Sequence, residues 1–536
     1  MNKQEKNLVE LIETIKERNG KPVNVQVVMA TIESLGIRDI DISEDYGFSS
    51  IETLAEHIFS TIGNSEIPEL KNKKQLAAER KEYAKIAVND YMVARNVLFV
   101  KEYSTGIFHT IPVFIQIACI VLFGFSLWTF SDFNGLQSTA VVLGVIIGLV
   151  TTGGFVQVMG KQVSYYWYNK DYQMTRKSVI RIFKTGVKII FLIFLLISVV
   201  NLFLHLYPFL FVGIVFVYAL LIGILLLSLS SLYTIKQRWV ISAVIFIATS
   251  SALIVNLLTE IRVYFIHWGG IIFASVLALS YLYFFFKKTI KKDKGRNNAT
   301  PKMMLSIYRN FDYFFYGILI FLFVFTDRIL AWSSTLERNL PYIVYFEKDY
   351  EIGMDLAILV FFLLAGVLEY SIASFCRYMD YYQRKIAYYD LEEFNTKMLK
   401  MYYKHLRLFA GSAILIGILL YAVITKPWGY QAGFDESLSE LSIKVCLIGG
   451  FGYLFLTLGM LNVLYLYTLN QHKKSLTAII LACFVNIGVG ILCSRIISYE
   501  YSAIGMLVGS LFFMVFTTRL TIRFFKRLDY FYYAAY

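Results

Sequence analysis

The sequence predicts an all-α polytopic membrane protein with about twelve transmembrane helices in two six-helix halves, preceded by a small helical cytoplasmic domain. Hydrophobic residues make up 57% of the 536 residues, and charged residues make up only 17%. An average soluble chain is about one quarter charged. The mean hydropathy is +0.59. Apolar segments of transmembrane length recur from residue 106 onward, and two similar polar connectors lie six segments apart.

Residues 1–80 form the large polar region of the chain and are predicted to be a cytoplasmic helical domain. The first residues, MNKQEKNLVELIETIKERNGK, are polar and charged, so no signal peptide is expected. Apolar residues recur at helical spacing, and one helix is expected to begin near Ile51. Residues 81–105 change from charged to apolar, which predicts a connecting helix on the inner membrane surface.

The remaining chain contains twelve segments that meet the length criterion of ~20 residues for a membrane-spanning helix. The predicted spans of the first half (106–286) are 107–130, 136–159, 187–206, 208–232, 239–259 and 263–286. A basic cytoplasmic linker, 287–310, joins them to the second half (311–536). The predicted spans of that half are 311–333, 355–376, 406–425, 443–468, 475–495 and 502–522.

The charges predict the orientation. Lys and Arg concentrate in alternate loops, most densely in 161–184, 287–296 and 377–404, whereas Asp and Glu occupy the loops between them, as in 347–355. We call the corresponding ends of the spans the basic end and the acidic end. The positive-inside rule places the basic end in the cytoplasm, and an even number of spans places both termini there. The net charge of +13 lies mainly in these loops, so no nucleic-acid partner is expected.

Two long polar connectors, 161–184 and 377–404, are rich in Tyr and basic residues and follow the second and the eighth predicted span. The same feature six spans apart predicts two halves that run in the same direction, related by an axis along the membrane normal. The alternative is a coincidence of loop lengths.

Asp327 and Arg328 lie side by side inside the predicted span 311–333. At a helical rise of ~1.5 Å per residue they lie ~24 Å from its basic end. Ionisable residues at such depth usually face other helices or water. We therefore predict that they line the outer end of a polar path for a substrate. The alternative is an anchor at the outer headgroups, aided by Trp332.

Glu369 is predicted to lie deep within the span 355–376, where a carboxylate is protonated, paired or hydrated. We include it among the substrate-path residues; the alternative is a structural pair with an Arg of a neighbouring helix. Arg495 is also included, although it lies at an outer span end, where a snorkelling role is the alternative.

The segment IRDIDISEDYGFSSIETLAEHIFSTIGNSEIPEL resembles the middle of an acyl carrier protein. Gly47, Ser50 and the pair Ile67-Pro68 stand where that family has its Gly, its modified Ser and its Ile-Pro pair. The resemblance implies phosphopantetheine attachment at Ser50. However, Ser49 replaces the usual Asp. The alternative is a helical docking domain with no prosthetic group, and no other cofactor is expected.

Several enzyme motifs are absent from the sequence. No GxxxxGK[ST] is found, so ATP hydrolysis by a P-loop is not expected. Asp39-Ile40-Asp41 imitates a glycosyltransferase DxD but stands alone in an acidic segment. His109, His205 and His267 have no HxxxH partner, so no metal site is predicted. The protein is therefore not expected to be an enzyme.

Five stretches carry a family resemblance: FVFTDRILAWS, the acidic loop 346–350, LEYSIASFCRYMDYYQRKIA, LNVLYLYTLNQHKKSL and YSAIGMLVGS. Together with the layout of the spans they resemble the PelG family of exopolysaccharide transporters. This family belongs to the multidrug/oligosaccharidyl-lipid/polysaccharide exporter superfamily. The resemblance covers roughly residues 86–536 of this chain.

The resemblance implies a multi-pass protein of the bacterial cytoplasmic membrane that exports a Pel-like polysaccharide through a cavity between two helix bundles. A cytoplasmic glycosyltransferase and other synthase subunits would be partners, with 1–80 and 377–404 as docking surfaces. Three alternatives remain: a lipid-linked oligosaccharide flippase, a cation-coupled small-molecule antiporter, and a membrane-embedded transferase fed by the carrier-like domain.

Overall fold

The computed structural model describes residues 3–19, 22, 25–35, 37–64, 88–108, 110–291, 303–336, 339–385, 391–434 and 436–535. Throughout these ranges the secondary structure is helical, apart from one isolated β-bridge between Phe125 and Phe130. The chain divides into two compact units, Met1–Asn96 and Val97–Tyr536, which are described separately.

The N-terminal unit contains four short helices. They are α1 (Lys3–Asn19), α2 (Val25–Ser34), α3 (Asp39–Asp45) and α4 (Ile51–Asn64). Their buried apolar side chains form a core of their own: Leu11, Ile15, Val28, Ile32, Ile42, Leu54, Ala55, Ile58 and Ile62. This confirms the predicted small helical N-terminal region. Its predicted boundary at residue 80 lies outside the described residues and stays a prediction.

The second unit is built mainly from long apolar helices, the first of which starts at Val88, before the boundary of the unit at Val97. They are α5 (Val88–Phe108), α6 (Ile111–Phe123), α7 (Gly135–Tyr168), α8 (Tyr172–Leu204), α9 (Phe209–Thr234), α10 (Arg238–Leu258), α11 (Val263–Lys291), α12 (Met303–Trp332), α13 (Lys348–Lys385), α14 (Leu391–Thr425), α15 (Tyr430–Phe434), α16 (Glu440–Thr468), α17 (His472–Ile496), α18 (Ser502–Phe525) and α19 (Leu528–Ala535). Within the described chain, eleven helices are long and apolar enough to cross a membrane. The bent pair Leu98–Phe108 and Ile111–Phe123 makes a twelfth if it is one span.

The first predicted span, 107–130, differs from the observed structure. The chain is bent by 59° between α5 and α6, and α6 ends at Phe123. Pro112 occupies the first turn of α6, where its missing N–H costs no hydrogen bond. Gly124 ends the helix with a φ of 64°, which favours glycine. The predicted connecting helix therefore contributes its last part to the membrane bundle, and His109 lies outside the described residues.

The two predicted polar connectors are mostly helical, which corrects the assignment of 161–184 and 377–404 as loops. Helix α7 continues to Tyr168 and α8 begins at Tyr172, while α13 and α14 extend to Lys385 and from Leu391. Asp171 caps α8 by accepting a hydrogen bond from the backbone N–H of Met174 at 2.9 Å. These helices have 33 to 38 residues, or ~50–57 Å, and so extend beyond a bilayer core of ~30 Å.

The helices of the two halves pack in the same order. Counting the α5–α6 pair as the first span, the second span packs against the third and the fourth, and the sixth packs against the fourth and the fifth. The eighth span likewise packs against the ninth and the tenth, and the twelfth packs against the tenth and the eleventh. Each half has its own hydrophobic core, around Tyr218 in the first and around Tyr453 in the second. This confirms the predicted two six-helix halves.

The two halves meet along two glycine contacts. A Cβ on Gly106 would lie 2.6 Å from Cα of Gly366, and a Cβ on Gly153 would lie 2.5 Å from the carbonyl oxygen of Gly317. Only glycine allows two helix backbones to approach so closely. Gly153 and Gly366 lie equally far from the first residues of α7 and α13. We call these two contacts the glycine seams. They lie at equivalent positions of the two repeats.

Candidate functional site

Arg238 and Glu369 form an ion pair between the two halves. Arg238 is the first residue of α10, and its Nη2 lies 2.8 Å from Oε1 of Glu369 on α13. Nη1 of Arg238 donates to the carbonyl of Thr105 at 3.3 Å, and the guanidinium lies 4.8 Å from the ring centre of Tyr233. The two charged side chains remain 17% and 27% exposed. The pair therefore joins the first, fifth and eighth spans and is not fully buried.

The depth predicted for Glu369 is corrected by this pairing. The span was expected to begin at Asp355, but α13 begins at Lys348. Glu369 thus lies beside the residue that opens α10, towards the basic end. The pair with an Arg of a neighbouring helix is the alternative that the structure shows. Contact between Glu369 and a substrate stays a prediction.

Further polar contacts join the halves near the basic end. Arg377 of α13 pairs with Glu102 of α5 at 2.7 Å. Lys161 of α7 donates to the hydroxyl of Tyr313 at 2.7 Å and to Oδ1 of Asn470 at 2.8 Å. Apart from Asn470, these side chains lie on helices that meet at the glycine seams. Each of the two seams is therefore accompanied by a polar contact between the halves.

The halves are also connected at the acidic end. The segment between α12 and α13 packs on the first half, where the Tyr207 hydroxyl donates to the carbonyl of Val344 at 2.7 Å. The rings of Tyr207 and Tyr342 stack 5.1 Å apart, and the N–H of Phe346 donates to Oγ1 of Thr139 at 3.0 Å. Burial raises the pKa of Tyr207, so its hydroxyl stays a neutral donor.

A buried charged network lies inside the second half. Nε of Arg328 donates to both carboxylate oxygens of Glu351, at 2.9 and 3.1 Å, and Nη1 donates to the Tyr453 hydroxyl at 3.1 Å. Asp355 lies 3.4 Å from Nη2. Arg328 is only 1% exposed. The hydrogen bonds of this guanidinium thus link α12, α13 and α16 of the second half.

Asp327 faces a different partner. Its Oδ2 accepts a hydrogen bond from the Tyr350 hydroxyl at 2.9 Å, and that hydroxyl accepts one from Ser502 at 2.9 Å. Asp327 is completely buried. The prediction that Asp327 and Arg328 line an open path is therefore wrong for this conformation, since the sequence indicates depth along a helix but not the direction of a side chain. The side chain of Asp355, by contrast, is 66% exposed.

Three residues of these networks were not predicted as site residues: Arg238, Glu351 and Asp355. Glu351 and Asp355 were considered only as part of the acidic loop 347–355. One sequence signal could have found the acidic pair. Glu351 and Asp355 are four residues apart and so lie on one face of a helix. Arg238 has no such local signal, because its partner is 131 residues away.

Arg495 lies at the acidic end of α17 and is exposed. Its Nη2 donates to the Ser333 hydroxyl at 2.7 Å, and Nη1 lies 3.5 Å from the Leu330 carbonyl oxygen at the end of α12. A cation beside the carbonyl end of a helix is favourable. This geometry fits the anchoring alternative, and contact of Arg495 with a substrate stays a prediction.

Ser50 precedes α4 and is half-buried. Its Oγ lies 3.4 Å from the N–H of Thr53, and Oδ1 of Asp39 accepts a hydrogen bond from the N–H of Ile51 at 2.7 Å. A surface cavity of about 540 Å³ adjoins Ser50 and is lined by the acidic Glu33, Asp39 and Glu52 among others. Ser50 is thus placed as a helix cap with an accessible hydroxyl. Its modification stays a prediction, and Ile67-Pro68 lies outside the described residues.

The other sequence candidates have structural roles. Asp39 and Asp41 belong to the first turn of α3, and a hydrogen bond from Arg38 lowers the pKa of Asp41. His267 is buried, with Nδ1 2.8 Å from the Tyr218 hydroxyl. Among the residues that the structure describes, no group of three or more His, Cys, Asp or Glu is placed to hold a metal ion.

The comparisons with known proteins agree with this architecture. The PelG family, described as "Putative exopolysaccharide Exporter (EPS-E)", matches residues 101–533. A crystal structure of MATE in complex with MaD3S is similar at 12% identity over 81% of this chain and 96% of that chain, with a TM-score of 0.56. An outward-facing multidrug resistance MATE family transporter of the MOP superfamily has the same identity, coverages and TM-score. Identity this low shows the fold alone.

A third structure, MATE in complex with MaD5, has 12% identity over 81% of this chain and 96% of that chain, with a TM-score of 0.54. No protein with a curated description matches this chain. The structural similarity shows the fold of MATE-type transporters for the membrane part. Because the family match covers residues 101–533, and thus both halves, this chain belongs to the PelG family of exopolysaccharide exporters.

Proposed function

We propose that this protein exports a Pel-like polysaccharide across the bacterial cytoplasmic membrane, with its basic end and both termini in the cytoplasm. The observation that carries the proposal is the family match over both six-helix halves, which is combined with a transporter fold. The polymer would pass between the halves, as in transporters whose repeats move against each other.

The contacts between the halves support a moving interface. At the glycine seams the helix backbones are in direct contact, with the rings of Tyr103 and Phe321 packed against Gly366 and Gly153, and the halves would rotate about these two lines of contact. The side chains of the Arg238–Glu369 pair are 17% and 27% exposed, so opening this pair would cost less than breaking a fully buried one. Each time the path between the halves changes from one side of the membrane to the other, such contacts would form and break.

Aromatic rings near the basic end suit a polysaccharide. Tyr165, Tyr168 and Tyr233 are 57%, 64% and 37% exposed, and each has a basic side chain within 6 Å of its ring. Sugar rings stack on aromatic faces, and hydroxyl groups accept hydrogen bonds from Lys and Arg. These tyrosines are candidates for the first contacts of a polymer delivered by a cytoplasmic glycosyltransferase.

The function is tested by deleting the gene and restoring it on a plasmid. We expect deletion to remove the polysaccharide from the medium and the restored gene to return it, measured by carbohydrate composition. Unchanged secreted polysaccharide together with greater sensitivity to cationic drugs would instead indicate an antiporter. Accumulation of lipid-linked oligosaccharide in the membrane would indicate a flippase.

A cation-coupled antiporter is the second candidate, and one observation favours it. Glu351 and Asp355 share the guanidinium of Arg328, and the preceding residue, Asp327, accepts a hydrogen bond from Tyr350 within the same half. Such an excess of carboxylates can take up a cation or a proton. Because export of polysaccharide could use the same coupling, the carboxylates alone do not separate the two candidates. The deletion experiment described above separates them, since it shows which substrate is no longer exported.

We propose that residues 1–80 dock the synthase subunits. Deletion of 1–80 is expected to abolish co-purification of the glycosyltransferase and to reduce export, measured by pull-down and by secreted polysaccharide. A full-length Ser50→Ala variant serves as the control, because docking alone predicts that it behaves like the wild type. Loss of export in Ser50→Ala, with a mass increase of phosphopantetheine on the wild type, would support the carrier alternative. Unchanged co-purification after the deletion would contradict docking.

A further inference from the structure

A small basic cavity lies between α8 and α11 at the basic end of the first half. It has a volume of about 260 Å³ and is lined by Arg176, Tyr283, Lys287 and Ile290. The last three residues are spaced by four and three positions and so lie on one face of α11. Arg176 approaches from the first turns of α8, close to its cap at Asp171. Two cations from two helices therefore point into one cavity.

Within the part of the chain that the structure describes, the two cations of this cavity have no acidic partner. No salt bridge joins Arg176 or Lys287 to any residue in the described ranges, and Lys287 lies 5.9 Å from the ring centre of Tyr283. Both side chains are exposed. Two cations held close together repel each other, and an anion placed between them relieves this repulsion.

An exposed apolar stripe leads from the bilayer to the cavity. Ile272, Val276, Leu279 and Tyr283 are all exposed along the face of α11 that ends at Lys287. On α8, Ile180 is also exposed one turn beyond Arg176. Residues spaced by three or four positions form a continuous surface along a helix. An exposed apolar surface therefore continues from the cavity along α11, through Tyr283, which belongs to both.

We propose that this cavity is a binding site for an anionic phospholipid of the surrounding leaflet. Arg176 would bind the headgroup phosphate through its planar donor fork, and Lys287 would supply a second charge-assisted hydrogen bond. The acyl chains lie along the stripe from Tyr283 to Ile272. Basic pockets between transmembrane helices are suited to acidic lipid headgroups. A soluble anion would use the two cations but gain nothing from the stripe.

The test uses the full-length protein, purified from mixed phosphatidylglycerol and phosphatidylethanolamine and analysed by native mass spectrometry. Wild-type protein is expected to retain phosphatidylglycerol in preference to phosphatidylethanolamine. The Arg176→Gln/Lys287→Gln variant should bind phosphatidylglycerol about tenfold more weakly. Lys473→Gln/Lys474→Gln is the matched control, because it removes two exposed positive charges at the same end and should retain the lipid.

Two results would overturn the site. Equal retention of phosphatidylglycerol by the Arg176→Gln/Lys287→Gln variant and the wild type would show that the cavity does not hold the lipid. Displacement of the lipid by an excess of inorganic phosphate would show a site for free anions, in which the apolar stripe has no part. Thermal unfolding of both double variants should match the wild type, since all four side chains are exposed.

Discussion

Replacement of Arg328 by Gln is expected to destabilise the second half by ~3–5 kcal/mol, the usual cost of breaking a buried ion pair from one side. Arg328 is 1% exposed and holds Glu351 through two hydrogen bonds from one nitrogen. Without the guanidinium, the carboxylate of Glu351, 12% exposed, would lose its cation and would either bind a proton or stay buried as an unpaired charge. The measurement is the midpoint of thermal unfolding of the purified protein in detergent, together with its level in the membrane.

A double substitution tests the physical reason for this loss. If the uncompensated carboxylate causes it, Arg328→Gln/Glu351→Gln should be more stable than Arg328→Gln alone. Arg328→Lys should be intermediate, because Lys keeps the charge but lacks the planar fork. Arg495→Gln is the control, since this exposed Arg lies at the same end and binds Ser333. An unchanged unfolding midpoint in Arg328→Gln would contradict the structural role of the network.

The second large effect is expected at the Arg238–Glu369 ion pair, which joins the two halves. Glu369→Gln should reduce secreted polysaccharide by about tenfold, as a coupling of ~1–3 kcal/mol between two conformations predicts, while protein level stays unchanged. The pair joins α10 to α13 beside the glycine seam of Gly106 and Gly366. Loss of the charge shifts the balance between the conformations in which the pair is made and broken.

Exchanging the charges separates this role from direct substrate contact. If the pair acts as a link, Arg238→Glu/Glu369→Arg should recover part of the export that Glu369→Gln loses. Recovery should be incomplete, because the carboxylate introduced at position 238 would face the Thr105 carbonyl. In the wild type that carbonyl accepts a hydrogen bond from Arg238. If Glu369 binds the substrate, the exchange should recover none. Glu393→Gln is the control, because Glu393 pairs with Lys397 on its own helix. Full export by Glu369→Gln would remove this residue from the site.

The predicted spans and the observed helices agree because hydropathy is a local property. The predicted segments 443–468, 475–495 and 502–522 differ from α16, α17 and α18 by three residues or fewer at each end. The errors arise where polar residues continue a helix beyond the membrane. Helix α14, for example, begins at Leu391 and not near residue 406. Charged residues favour helix as well as loop, so composition alone does not mark where such a helix begins.

The candidate site was predicted less completely than the fold. Glu369 was chosen as a substrate-path residue, which stays a prediction, and its partner Arg238 was not identified. Asp327 and Arg328 were correctly placed inside a span, yet both turn into the second half and not towards the interface. A position in a helical sequence defines the depth of a residue. The rotation of that helix against its neighbours defines what the side chain contacts.

By itself the sequence determined the helical membrane fold, the six-span repeat and the end of the bundle that is basic, because each follows from runs of local hydrophobicity and charge. Only the tertiary structure decided that Gly106 meets Gly366 and that Arg238 meets Glu369. These contacts join helices that are distant in the chain. They depend on close packing of the two halves, which no local pattern encodes.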